Sequence, residues 1–185
     1  MDNGASSYRR FLAGDESGIV EIIRDYKDGL ILYLNGYTKN IHIAEELMEE
    51  TFVKLVVKKP HYSEKFSFKT WLYTIGRNAA IDWLRQGSRS VSVPFEDMEE
   101  YLADIDDLER SYIKEEQKIA LRRAMRRLKE EYGQALYLSY FEDLSNAEIA
   151  RIMHKSKRQV ENLIYRGKQS LKSELEKEGF VYEEL

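Results

Sequence analysis

The sequence predicts an all-α protein made of two small helical domains, and three observations predict it. Its 185 residues include only 10 Gly and 2 Pro, too few for turn-rich β structure. Its 29 Lys/Arg and 33 Asp/Glu bring the charged fraction to 34%, above the ~25% of an average soluble domain, which suits long solvated helices. Apolar residues, 43% with the aromatics included, recur at steps of three and four rather than two.

The helices follow in order. Residues 17–37 carry Ile19, Ile22, Ile23, Tyr26, Leu30 and Tyr33 at amphipathic-helix spacing. Residues 41–59 repeat the pattern with Ile43, Leu47, Phe52, Leu55 and Val56, and Glu45, Glu46, Glu49 and Glu50 in the N-terminal half favour the positive end of the helix dipole. A third helix is predicted from Phe68 to Arg85 on Trp71, Leu72, Ile75, Ala79, Ile81 and Leu84. Beyond an acidic stretch, four more are predicted: Ile119 to Leu128, Gly133 to Phe141, Asn146 to Met153 and Lys157 to Leu175. No fixed-period repeat relates the halves, so they are different modules.

Composition excludes several functions. Zero Cys removes disulfides, thiolate nucleophiles and thiolate metal sites, and suits a reducing cytoplasm. His42, His61 and His154 are isolated, so no metal and no cofactor is expected. The N-terminus MDNGASSYRRFLAGDESG has no apolar signal core, and no apolar run reaches the ~18–20 residues of a membrane span, so no direct membrane insertion is expected. Without a Gly-rich phosphate loop, a paired-His motif or a nucleophile elbow, no catalytic residues are assigned.

The net charge of −4 hides an uneven distribution. Residues 61–95 carry five Lys/Arg against two Asp/Glu, 96–116 two against ten, and 117–175 thirteen against seven. Like charges make the middle stretch a poor core former, and it follows the polar QGSRSVSVP. It reads as a linker, although a solvated acidic helix fits the same run, above all from Asp107 onward. The domains expected are therefore 1–95, a linker 96–116, 117–176 and a tail 177–185.

The last domain contains a helix-turn-helix pattern. Ser145 ahead of Glu148 has capping-box spacing and opens AEIARIM. After His154-Lys155-Ser156 a second helix combines apolar Val160, Leu163, Ile164 and Leu171 with polar Lys157, Arg158, Gln159, Asn162, Tyr165 and Arg166. That polar face suits a DNA major groove, where Arg reads guanine, Asn or Gln reads adenine and Lys binds phosphate. An ordinary helical hairpin with a solvated basic face fits the same pattern. In the first domain, HYSEKFSFKTWLYTIGRNAAIDWLRQGSR interleaves Tyr62, Phe66, Phe68, Trp71, Tyr73 and Trp83 with Lys65, Lys69, Arg77, Arg85 and Arg89. Aromatic faces stack on unpaired bases while cations follow phosphates. Trp71 and Trp83 equally fit a core, so Tyr62, Phe66 and Asn78 are the better contact candidates.

Together, HIAEELMEETFVKL, FSFKTWLYTIGRNAAIDWLR and the helix-turn-helix after FEDLSNAEIARIM resemble a bacterial RNA polymerase sigma factor of the extracytoplasmic-function (ECF) type, in the sigma-70 family. The match spans about residues 20–175. The resemblance implies a helical bundle of sigma region 2 type, a helix-turn-helix domain of sigma region 4 type, and transcription initiation by a protein that is not an enzyme. It implies docking on core RNA polymerase through Glu46, Glu49, Glu50 and Phe52. Recognition and melting of promoter DNA at the minus-ten element would fall to Tyr62, Phe66, Trp71, Arg77, Asn78 and Arg85. Recognition of the minus-thirty-five element would fall to Lys157, Arg158, Gln159, Asn162, Tyr165 and Arg166. An anti-sigma factor is implied as a further partner.

This chain departs from the family in carrying Glu49 where Gln is usual, His154 where the turn usually has Gly, Lys155 where an aliphatic is usual, and Glu161 and Leu163 on the reading helix. A helix-turn-helix regulator with a ligand-sensing first half is the alternative, and it leaves the aromatic-basic segment without a role.

Overall fold

The computed structural model describes residues 3–87, 111–177 and 179, with side chains from 4 and 119 onward in the first two stretches. Most of the acidic segment lies outside them. All regular structure among the described residues is helical: α1 (Asn3–Leu12), α2 (Ser17–Thr38), α3 (Ile41–Lys58), α4 (Phe68–Arg85), α5 (Ser111–Arg127), α6 (Glu130–Tyr140), α7 (Asn146–Met153) and α8 (Lys157–Lys177).

The boundaries have local causes. Lys39 turns left-handed to end α2, and the Asn40 side chain then accepts from the backbone N–H of His42 (3.0 Å) and Ile43 (3.3 Å), which starts α3. Ser67 caps α4 by accepting from the Thr70 N–H at 3.3 Å. The expected capping box is present at α7: Glu148 N–H donates to Ser145 Oγ (3.4 Å) and Ser145 N–H donates to Glu148 Oε2 (3.0 Å).

Helix α1 is not predicted from the sequence, because its Asn, Gly and Ser residues are weak helix formers. Tertiary packing forms it: Ala5, Tyr8 and Phe11 are buried, Tyr8 lies 5.6 Å from the Phe68 ring and 5.2 Å from Trp71, and Arg10 pairs with Glu21 of α2. Gly18 permits the α1–α2 crossing, since a Cβ there would overlap the Ser7 carbonyl oxygen.

Helices α1–α4 form one bundle around Ile22, Leu30, Leu34, Leu55, Phe68 and Leu72, and α5–α8 form another. Within the second, Gly167 brings α8 against Leu136 of α6, while Ala120 and Ala124 of α5 pack with Leu175. The two bundles are not separate bodies. Helix α7 packs along α4 and α6 against α2, so that Tyr33, Tyr37 and Tyr73 share a continuous core with Ala135, Leu138, Ile149 and Met153. The sequence leaves this mutual arrangement open. The acidic stretch also changes character at its end, since positions 111–116 already lie in α5.

His154 ends α7 at φ 53° and ψ 45°, the left-handed conformation that favours Gly. An L side chain there costs about 1 kcal/mol relative to Gly. His154→Gly should accordingly raise stability by up to about 1 kcal/mol in urea unfolding, with α7 and α8 unchanged.

Candidate nucleic-acid interface

Helix α8 separates its two faces sharply. Val160 and Gly167 are buried and Leu163, Ile164 and Leu171 are partly buried, whereas Lys157, Arg158, Gln159, Asn162, Tyr165 and Arg166 are all exposed. Tyr165 is 63% exposed and its hydroxyl accepts from Gln169 Nε2 at 3.0 Å, so an aromatic edge stands out from the basic face. Gln159 has a second duty. Its Oε1 accepts from the Ser156 N–H (2.7 Å) while its own N–H donates to Ser156 Oγ (3.2 Å), a reciprocal cap on the start of α8. Its carbonyl oxygen is committed to the backbone, which revises its expected role as a free base reader. Gln159→Ala should lower stability by about 0.5–2 kcal/mol in thermal unfolding, and Gln159→Glu should restore most of it by keeping the capping acceptor.

The aromatic-basic segment divides between surface and core. Phe66 is 41% exposed, and the Arg151 guanidinium lies 5.1 Å from its ring centre. Tyr62 is half-buried, stacked edge-on against Phe68 at 5.6 Å and near Trp71 at 5.2 Å, with its hydroxyl donating to the Phe66 carbonyl at 2.6 Å. Asn78 and Arg85 are exposed, the latter 3.7 Å from Asp82. Trp71 belongs to the cluster of Tyr8, Tyr62 and Phe68 and packs with the core, as its helical spacing allowed. Arg77 also points inward: its Nε is buried without a hydrogen-bond partner, and its charge acts on Tyr37 and His154. Trp71 and Arg77 are half-buried, whereas Asn78 is exposed.

On α3, Glu46, Glu49 and Glu50 are exposed on the outer face, but Phe52 is only 4% exposed and packs in the first bundle. The expectation that Phe52 touches polymerase is corrected: helical spacing turns it inward with Leu55. Val53 and Val57, 57% and 66% exposed, continue the outer stripe instead. Their signal was in the sequence, at three and seven residues beyond Glu50.

Sequence reasoning also missed the junction between the bundles. Glu142 Oε2 lies 2.7 Å from Lys69 Nζ, which donates to the Glu142 carbonyl as well, at 3.2 Å. The single Tyr137 hydroxyl proton is shared between Glu142 Oε1 (3.0 Å) and the Gly29 carbonyl (3.1 Å). Burial, with Glu142 beside it, raises the Tyr137 hydroxyl far above its ordinary pKa and keeps it a donor. Glu148 Oε1 accepts from Ser67 Oγ (2.8 Å) and Thr70 Oγ1 (3.1 Å).

Burial alone would push the Glu148 carboxyl up, but hydrogen bonds from Ser67, Ser145 and Thr70 outweigh it and hold the pKa below the ordinary 4.5. A depressed folded-state pKa means stability present above the unfolded value and lost as pH falls through the folded one. Unfolding midpoints should decline with pH below about 4.5, and more shallowly in Glu148→Gln. Burial, Arg77 and Arg151 lower the His154 pKa, so its imidazole is neutral at pH 7.

Among the described residues, no group of three His, Asp or Glu is arranged to hold a metal ion. Nor is any helix among them long and apolar enough to cross a membrane. The cytoplasmic placement expected from composition is corrected to that narrower statement, because helix apolarity does not distinguish one aqueous compartment from another.

A helix-turn-helix bundle packed on a bundle with an aromatic-basic helix defines a class of promoter-reading proteins, and comparison with known proteins agrees. Residues 22–90 match the family model for sigma-70 region 2, and residues 118–171 that for sigma-70 region 4. The ECF RNA polymerase sigma factor SigM of Bacillus subtilis is 30% identical over 164 residues, covering 84% of this chain and 93% of that protein. SigW of the same organism is 25% identical over 170 residues, covering 88% and 91%.

Among solved structures, CnrH in complex with the cytosolic domain of CnrY superimposes with a TM-score of 0.63 at 15% identity, over 94% of this chain and 95% of that one. RpoE in complex with the anti-sigma factor NepR, from Bartonella quintana, gives 0.64 at 18%, over 84% and 95%. These two support the fold. The chain belongs to the sigma-70 family of RNA polymerase sigma factors, in the ECF group. Its function is that of a transcription factor that directs RNA polymerase to promoters, and it is not an enzyme.

Proposed function

We propose that the two bundles divide promoter recognition between them, residues 1–95 serving the minus-ten element and core polymerase and residues 117–176 the minus-thirty-five element. The observation that carries this reading is the exposed polar face of α8, with Arg158, Asn162 and Arg166 on one side and the buried Val160 and Gly167 on the other. Arg158 and Arg166 suit guanine, Asn162 suits adenine, and Lys157 suits phosphate. In the first bundle Asn78 contacts the minus-ten strand, with Phe66 and the ring of Tyr62 stacking on an unpaired base and Arg85 following the backbone. Extruding that base costs a few kcal/mol, which stacking offsets.

Core polymerase docks on the outer face of α3, where Glu46, Glu49 and Glu50 attract a basic partner and Val53 and Val57 supply apolar contact. The anti-sigma factor NepR in the RpoE structure supports an anti-sigma factor as a partner of this chain too.

Gel filtration with bacterial core RNA polymerase, followed by run-off transcription from fragments of the source genome, tests the whole reading. Co-elution and discrete transcripts are expected. Arg158→Ala should weaken binding to the upstream element by about 1–3 kcal/mol and relax specificity at one base pair, while leaving co-elution intact. Duplex binding by a dimer that never joins polymerase would replace this reading with that of a ligand-sensing regulator.

A further inference from the structure

The division of labour just proposed requires the two bundles to stand far apart, yet the structure holds them together. Arg151 lies over Phe66, and Arg158 follows Arg151 by seven residues. With consecutive Cα atoms about 3.8 Å apart, Phe66 and Arg158 are separated by less than about 45 Å. The 25 base pairs between positions minus-ten and minus-thirty-five span about 85 Å of duplex at 3.4 Å each. One chain in this conformation cannot reach both elements.

At the junction, polar contacts to the first turn of α4 flank an apolar core that both bundles share. Lys69 meets Glu142, whose side chain is only 9% exposed against 31% for Lys69, so the pair is largely withdrawn from water. Gly29 leaves the space that Glu142 needs, since a Cβ there would overlap Oε1 of that carboxylate. Glu148 serves two helix starts with one carboxylate: Oε2 closes the capping box of α7, and Oε1 takes the hydroxyls of Ser67 and Thr70 at the start of α4. Both carboxylates belong to the second bundle and all of these α4 partners to the first. Arg151 lying over Phe66 also covers one face of an aromatic ring assigned above to base stacking.

We propose that this packing is a self-inhibited closed state, latched by Glu142 on Lys69 and by Glu148 on Ser67 and Thr70, which must open before the chain reaches both promoter elements. The inference rests on the two-module reading of promoter recognition. If binding requires the open form, apparent affinity is scaled by the open fraction, and weakening the latch tightens binding without adding a contact. The latch groups are polar, so on opening they exchange their partners for water.

The absence of native cysteines makes the test direct. Val20→Cys and Ser173→Cys, both at exposed positions of different bundles, accept a donor and acceptor dye pair. Single-molecule energy transfer is then read in the otherwise unchanged full chain, in Lys69→Met, in Glu148→Gln and in the double variant. Circular dichroism confirms that each retains its helices.

Opening of the free chain is expected in the variants, with a growing long-distance population, and the same long distance is expected when the unsubstituted latch meets core polymerase and promoter DNA. Apparent affinity for promoter DNA that carries both elements, in the presence of core polymerase, should rise by about threefold or more in the double variant. Unchanged distances in the folded double variant overturn the latch. Open distances with no gain in promoter affinity overturn the inhibition. A chain that never binds polymerase overturns the promoter-recognition reading instead, and the free-chain distances still judge the latch separately.

Discussion

Helix α4 has to satisfy two neighbours at once, and the rest of the molecule is arranged around that constraint. Phe68, Leu72, Gly76 and Ala80 bury it in the first bundle, where Gly76 lets Leu30 approach to a distance that a Cβ would not tolerate. Its other side carries Lys69, Thr70, Tyr73 and Arg77 toward the second bundle, and between these sides only Asn78, Asp82 and Arg85 are exposed. A helix buried on two sides ordinarily reads as apolar all round. Here the second side sets Lys69 and Thr70, which meet carboxylates, beside the core residue Tyr73.

The aromatic residues show the same division. Tyr8, Phe68 and Trp71 form a tilted cluster that anchors α1 on α4. Tyr33, Tyr137 and Phe141 form a second series that crosses between bundles, with Tyr33 and Tyr137 6.3 Å apart and Tyr137 and Phe141 5.4 Å apart. Tyrosine suits such a boundary because it offers apolar area and a hydroxyl in one group. The hydroxyls of Tyr33 and Tyr137 remain protonated, since burial raises both pKa values well above the usual range.

Charge is sorted by surface rather than by total. The outer face of α3 is acidic, the exposed face of α8 is basic, and the −4 net charge describes neither. A sigma factor needs this separation, because polymerase docking and DNA binding call for opposite signs on different surfaces.

The sequence by itself determined seven of the eight helices among the described residues, since apolar spacing of three and four and capping residues act within a few turns. Ser145 with Glu148 marked the start of α7, and His154 marked its left-handed end. It also separated the two faces of α8, where Val160 and Gly167 alternate with Arg158, Asn162 and Arg166 at helical period.

Tertiary structure alone decided the rest. Helix α1 was illegible because Asn, Gly and Ser do not hold a helix without the Tyr8 and Phe11 packing that other segments provide. Phe52 looked like a contact residue by its position in a motif, yet it faces the core, while Val53 and Val57 face out. The two carboxylates at the junction belonged to different roles in sequence, one in a turn and one in a capping box, and only folding brings Lys69, Ser67 and Thr70 to them across more than 70 residues. Periodicity carries information over neighbouring turns of one helix. The pairing of surfaces from distant helices depends on which shapes and charges meet, and that is settled only when the chain packs.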